Sequence, residues 1–259
     1  MSSSILRSIA FLVGLLGLRG AEVFRPHHPP TVSLRRRWIT NLGLGLVNGA
    51  VVSLLCASCF LLTARGLPAF APLPRVASNL WVQVLVAVLL LDLVTYALHR
   101  AFHRVPFLWR FHLVHHTDLD LDVSSASRFH TGEVLLASAV KLGLVVVLGI
   151  APLGLVVFEV VMLACAQFQH ANIRIPAALE RLLWRTLVPP AMHRLHHTPT
   201  RADTDSNFGT ILTLWDFLLG TFNRREPDAV ASFGVSDMRE PARLGLVSLA
   251  ILPFRRVSR

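Results

Sequence analysis

Ten of the twelve histidines lie between positions 99 and 197, and eight of those ten form three clusters. The clusters read His99-Arg-Ala-Phe-His103, His112-Leu-Val-His115-His116 and His193-Arg-Leu-His196-His197. On a helix, positions i, i+3 and i+4 project from one face, so each cluster can aim two or three imidazoles at a single point. The second and third clusters repeat one pattern, H-x-x-H-H, about 80 residues apart. Imidazole at this density is metal-ligand chemistry and suits Fe, Cu, Zn or Ni. Without a metal, the same eight rings would be crowded polar groups lacking compensation. Eight ligands exceed one ion's capacity when a catalytic metal keeps an open position, so two metals is the natural count.

The other four histidines divide by context. His170 ends an apolar run on the side where the clusters lie and reads as a further ligand. His130 sits in a polar loop, Arg128-Phe-His-Thr-Gly-Glu133, and reads as a ligand too, with a supporting or structural role as the alternative. His27 and His28 precede Pro29-Pro30 in a basic stretch and read as solvated linker. Cysteine chemistry is excluded at the site, because Cys56, Cys59 and Cys165 all lie inside apolar runs. Three thiols cannot make a four-thiolate site, and Cys56 and Cys59 read as small packing residues. No H-E-x-x-H or Glu-x-x-His pair occurs, which argues against a zinc peptidase and a carboxylate-bridged bundle.

The elements that position these residues are apolar helices. The chain has 259 residues, 53% apolar and 15% charged, against about 25% charged in ordinary soluble domains. Ile39 to Ala64 runs 26 positions without a charge, more than the ~20 a spanning helix needs. Ala77 to Leu98 is broken only by Asp92, Val134 to Ile150 only by Lys141, and Leu153 to Gln169 only by Glu159. Ala151-Pro152-Leu153-Gly154 is a turn signal that folds the last two into a hairpin, across which Lys141 is expected to pair with Glu159 or to snorkel. A shorter run, Ser8 to Leu18, reads as a retained anchor. The expected fold is an all-α integral-membrane bundle of about four inserted helices plus a short N-terminal one, under a histidine-rich helical cap.

The net charge is +10, and every basic residue except Lys141 is arginine. The arginines flank apolar segments, which fits cytoplasmic loops and anionic lipid rather than nucleic acid. Arg19 to Arg37, Arg100 to Arg128 and Arg174 to Arg194 mark three basic stretches, whereas only Arg65 and Arg75 separate the Ile39 and Ala77 runs. The positive-inside rule then puts residues 19–38, 99–132 and 170–259, and the histidine clusters with them, in the cytoplasm. Residues 1–76 read as a membrane anchor region, 77–223 as the catalytic domain and 224–259 as a cytoplasmic tail. Leu179, Leu182, Leu183 and Leu187 form an apolar stripe opposite Glu180, Arg181 and Arg185, expected to lie in the interface. Asp92 stands two helical turns before His99 on the same face, inside an apolar run, and is expected to orient a ligating imidazole. Pairing with an arginine is its alternative. Asp203, Asp205 and Asn207 are expected to orient third-cluster imidazoles or to cap a helix, and Trp215-Asp216 to form a structural corner.

From residue 80 to 223 the chain resembles the fatty acid hydroxylase superfamily, integral-membrane di-iron proteins that include sterol desaturases and C-4 methyl sterol oxidases. The resemblance is carried by Asp92-x3-Tyr96-x2-His99-Arg100-x2-His103, Leu108-Trp109-x-Phe111-His112-x2-His115-His116 and Arg128-x-His130. It continues through Gln169-His170-Ala171-Asn172, Pro190-x2-His193-Arg194-x-His196-His197, Asn207-Phe208-Gly209 and Trp215-Asp216-x3-Gly220-Thr221-Phe222. By position, the eight clustered histidines match the family's box ligands, and His130 and His170 match histidines found between the boxes. Some members carry a further histidine four residues before His170, where this chain has Ala166, with Gln167 or a water as the substitute.

The resemblance implies two iron ions, replaceable by zinc in preparations, that activate O2 and oxidise an unactivated C–H bond of a membrane lipid such as a sterol or fatty acyl chain. Hydroxylation and desaturation both follow from one hydrogen abstraction. The chain has no dinucleotide fingerprint and no cysteine set for an iron–sulfur cluster, so an external ferredoxin or cytochrome b5-type donor with its reductase is implied. A bacterial inner membrane or the endoplasmic reticulum is the implied location. A zinc-dependent membrane hydrolase and a non-enzymatic haem or metal-binding membrane protein are the alternative readings.

Overall fold

A computed structural model describes residues 3–64, 71–76, 78–223, 225 and 232–255. Arg65 and Ala77, used above to bound the apolar runs, lie outside these residues. Among the described residues the regular structure is helical, apart from isolated bridges at Pro26–Ile173 and Leu187–Leu212. Five helices are long and apolar enough to cross a membrane: α1 (Ser3–Phe24), α2 (Leu34–Ala64), α4 (Leu80–Arg104), α6 (Thr131–Leu148) and α7 (Pro152–His170). A single turn, α3 (Leu73–Val76), precedes α4. Leu16, Leu46, Leu54 and Trp81 keep two thirds or more of their surface exposed, as lipid-facing side chains do.

The N-terminal helix is longer than the apolar run Ser8–Leu18 suggests. Its ends carry charged residues that break the run in sequence yet find partners in the fold. Arg7 pairs with Glu159 of α7 at 2.7 Å, and Glu22 accepts from the backbone N–H groups of Val123 and Asn172 at 2.7 and 3.0 Å. Glu159 is therefore committed to Arg7, and to the Cys56 thiol at 3.1 Å, rather than to Lys141. Lys141 turns inward over the Phe158 ring at 5.6 Å. Cys56 is a hydrogen-bonding member of this group and not merely a small packing residue.

The hairpin forms as expected. Gly149 takes a left-handed conformation (φ 70°) at the end of α6, and Pro152 opens α7 at a position where no N–H is needed. The core lies where α4, α6 and α7 meet, around Ala87, Leu91, Val145, Leu155 and Phe158. Val105, held extended before Pro106, ends α4 and turns the chain sharply into α5 (Pro106–His116). Short helices α8 (Ala177–Leu183), α9 (Pro190–His196), α10 (Arg201–Thr204), α11 (Leu214–Leu218) and α12 (Leu246–Ile251) complete the cap. In α8, Leu179 and Leu182 are exposed as the stripe predicts, but Glu180 is buried 3.5 Å from Arg194, and Leu187 packs against the core. The basic linker is docked, since Asn172 accepts from His28 N–H at 3.1 Å and donates to His28 C=O at 2.8 Å.

Candidate metal centre

Four elements bring nine imidazoles to one place. The last turns of α4 carry His99 and His103, α5 carries His112, His115 and His116, α7 ends on His170, and α9 with its cap carries His193, His196 and His197. They form two groups: His99, His103, His112, His116 and His196; and His115, His170, His193 and His197. Within each group the nearest ring nitrogens lie within 4.8 Å of one another. The groups adjoin, with the His116 and His197 rings stacked at 4.4 Å.

The sequence suggested that each cluster aims at a single point, but each H-x-x-H-H box divides between the groups. Box two sends His112 and His116 to the first group and His115 to the second; box three sends His193 and His197 to the second and His196 to the first. The i and i+4 residues stay together and the i+3 residue crosses over.

The donor set suits metal ions. In the first group, Nε2 of His99, His103, His112, His116 and His196 is buried without a hydrogen-bond partner. In the second, Nε2 atoms stand 3.2 Å (His115–His170), 3.0 Å (His170–His193) and 3.1 Å (His193–His197) apart. Ligands about 2.0–2.1 Å from one ion and at right angles are separated by about 3.0 Å. Five opposite ring nitrogens are turned to acceptors that fix ring orientation. His99 Nδ1 meets Phe208 C=O at 2.9 Å, His115 meets Arg128 C=O at 3.2 Å, His170 meets Ala166 C=O at 2.7 Å and His196 meets Ser206 C=O at 2.7 Å. His112 alone meets a carboxylate oxygen within hydrogen-bond range, Glu133 Oε1 at 2.7 Å.

Burial, then the neighbouring imidazoles, holds His115, His116, His193 and His197 well below the ordinary histidine range. Burial lowers His196 to about 3 despite the opposing Ser206 carbonyl. These rings are neutral at physiological pH, the form that binds metal.

Three expected site residues stand elsewhere. The structure does not bring His130 to the groups: its Nδ1 caps α6 by accepting Gly132 N–H at 2.9 Å, and its Nε2 lies 3.1 Å from Ala250 C=O. Asp92 touches no imidazole. It accepts from Ile211 N–H, Leu212 N–H and Trp215 Nε1 at 3.1, 3.2 and 2.7 Å, and so anchors the segment that follows Phe208. Gln167 does not fill the place beside Ala166, because its amide donates to Phe11 C=O in α1 at 3.0 Å.

Around the third box, Asp205 approaches His103 Nδ1 at 3.6 Å, while Asp203 binds Asn223 and Arg225. Asn207, at φ 56°, accepts Asn223 N–H at 2.9 Å. Asp216 accepts from Phe208 and Gly209 N–H at 2.8 Å each, which is the structural corner expected of Trp215-Asp216.

The family-level comparisons agree with this geometry. The model for the fatty acid hydroxylase family matches residues 84–221, more than half of the sequence. The chain belongs to the fatty acid hydroxylase family. It is 29% identical over 178 residues to an ornithine lipid hydroxylase of Rhizobium tropici, covering 68% of this chain and 52% of that protein. It is 34% identical over 158 residues to cholesterol 25-hydroxylase of Rattus norvegicus, covering 58% and 51%. It is also 26% identical over 142 residues to human alkylglycerol monooxygenase, covering 52% and 29%. The chain thus spans about half the length of the first two relatives. No solved structure matches this family member.

Several supporting residues escaped the sequence reading. Arg37 of α2 bonds Asp118 at 2.7 and 2.9 Å and Asp122 at 2.6 Å, and Arg128 donates to Val114 C=O, Asn41 and Thr117. Burial alone would raise the Asp118 carboxyl, but Arg37 and Arg128 hold it well below the usual carboxylate range. This network fixes the 117–128 loop, which supplies the acceptor for His115. The acidic repeat Asp118-x-Asp120-x-Asp122 after box two, with the Arg35–Arg37 run, was the available signal.

Proposed function

We propose that this protein is an O2-dependent, di-iron lipid hydroxylase of the membrane. The carrying observation is the convergence of nine imidazoles as two adjoining groups, five of whose Nε2 atoms are buried without partners. In this reading His99, His103, His112, His116 and His196 hold one ion, and His115, His170, His193 and His197 the other. When bound, the irons supply the O2 activation and oxidising power needed to break an alkyl C–H bond. The chain's own part is to hold neutral donors in fixed orientation, through Glu133 and the carbonyls of Phe208, Arg128, Ala166 and Ser206, and to exclude water by burial.

The relatives' names favour hydroxylation over desaturation, and a polar or sterol-like membrane lipid as substrate. Nine imidazoles far exceed the pair a haem requires. Electrons come from an external ferredoxin or cytochrome b5-type partner on the cytoplasmic face, where exposed Arg104, Arg110 and Arg201 attract an acidic surface. Residues 77–223 form the catalytic unit, in a bacterial inner membrane or the endoplasmic reticulum. Metal analysis of purified protein tests the reading directly: two irons per chain without a Soret band are expected, and lipid extracts of expressing cells should gain a species heavier by one oxygen. A single haem, or unchanged lipids with both irons bound and a competent donor present, would overturn it.

A further inference from the structure

We infer that the C-terminal segment around α12 is a membrane-seated element, its outer face occupied by lipid at the cap-side edge of the bilayer. Residues 232–255 were expected within a cytoplasmic tail, but α12 and the turn Leu252–Phe254 are docked on the bundle. Leu249 and Leu252 are buried with Leu44 of α2 and with Leu113 and Val114 of α5. The opposite face remains apolar and open, with Val247 76% and Phe254 74% exposed.

The packing level decides what covers that face. Leu246 lies against Gly43 of α2. Ile39, exposed and two residues past the last charge of this end of α2 at Arg37, is followed by Gly43 about 6 Å further along the helix at 1.5 Å per residue. On the other flank, Ala250 C=O lies 3.1 Å from the His130 ring at the start of α6, just before that helix becomes apolar. The segment is therefore level with the first turns of two spanning helices. Its outer face runs on from Phe254 through Phe111 to exposed Phe107, with successive ring centroids 6.2 and 5.5 Å apart. Exposed Arg255 flanks it on one side, as basic residues do on helices lying in an anionic interface, and on the other stands exposed Arg243, paired with Glu240 at 2.6 Å.

The proposal concerns where the chain meets lipid and does not depend on the reaction. Its test places a nitroxide at Val247→Cys or Phe254→Cys in the full chain, reconstituted in nanodiscs containing anionic phospholipid. The unsubstituted chain, carried through the same labelling, is the blank for Cys56, Cys59 and Cys165. Relaxation of the label should be enhanced several-fold more by dissolved oxygen than by a water-soluble nickel chelate. A label at Arg243→Cys should show the opposite preference. Nickel ahead of oxygen at both 247 and 254 would show that the face meets water and overturn the inference. Exclusion of both reagents together with dipolar broadening between labels would assign the face to a second copy and overturn it equally. Two positions are used so that a single poorly folding variant leaves the outcome readable.

Discussion

Replacing Glu133 with glutamine removes one negative charge from the neighbourhood of one imidazole and leaves an acceptor of the same shape. Glu133 Oε1 is 2.7 Å from His112 Nδ1, both side chains are buried, and the other carboxylate oxygen has no partner. A hydrogen bond to a charged group in such a setting is worth about 1.5–3 kcal/mol, and loss of a group that orients a metal ligand typically costs about 10–100-fold in affinity. Glu133→Gln should lie near the lower end, about tenfold or about 1.4 kcal/mol. Glu133→Ala should lie near the upper end, because His112 then loses orientation as well as charge. The loss should be confined to one ion, since the carboxylate faces a ring of the first group only. Titrating apoprotein with Fe(II) or Co(II) against a competing chelator should therefore shift one binding step to weaker affinity and leave the second-group step unmoved. Equal weakening of both steps, or wild-type affinity in both variants, would refute the argument that Glu133 acts through His112.

Three further outcomes follow from the same contacts. The ring of His196 is lowered to about 3 and those of His115, His116, His193 and His197 also fall below the ordinary range, so the unfolded chain binds more protons than the folded one. Stability is then complete above about pH 6.5 and lost as pH falls from there towards 3, by up to about 1.4 kcal/mol per pH unit per ring; an acid titration of apoprotein by tryptophan fluorescence reads this. Arg37→Ala strands Asp118 and Asp122 in a buried site and should cost about 3–5 kcal/mol, measured as a lower denaturation midpoint in detergent. His170→Ala should lower metal content by one ion per chain, whereas His130→Ala should keep both ions and lose stability by about 0.5–2 kcal/mol as a missing helix cap does; equal metal loss in the two would contradict their placement.

The histidine clusters and the spanning helices were legible in the sequence because both signals are local. Ligand chemistry resides in residue type and i, i+3, i+4 spacing, and membrane insertion in runs of apolar residues. What stayed hidden depends on approach between distant segments. Pairing with Glu159 across the hairpin was one of two expected fates for Lys141, but the partner of Glu159, Arg7, is 152 positions away. Asp92 reaches backbone groups 119 and 120 positions on, so its periodicity with His99 predicted the wrong target. His130 takes its alternative, structural role, because a local bond from Gly132 N–H uses its ring as the cap of α6. Glu133, only 21 positions from His112, was visible in the polar loop but carried no pattern linking it to that ring.

The division of the boxes follows from helix geometry. Successive residues turn by about 100°, so i+3 and i+4 straddle the position of i and point to different sides. A helix lying between two groups of donors can contribute to both through such a pair, and α5 and α9 each do so with opposite allegiance. The remaining donors come from helices that serve one group each. α4 gives the first group His99 and His103, one turn apart, whereas α7 gives the second group His170 alone. The residue one turn before His170 is Ala166, whose carbonyl instead accepts from the His170 ring at 2.7 Å. The five-to-four imbalance thus arises where α4 carries a second histidine and α7 carries Ala166. If each group held an ion, the second would supply it one protein donor fewer than the first.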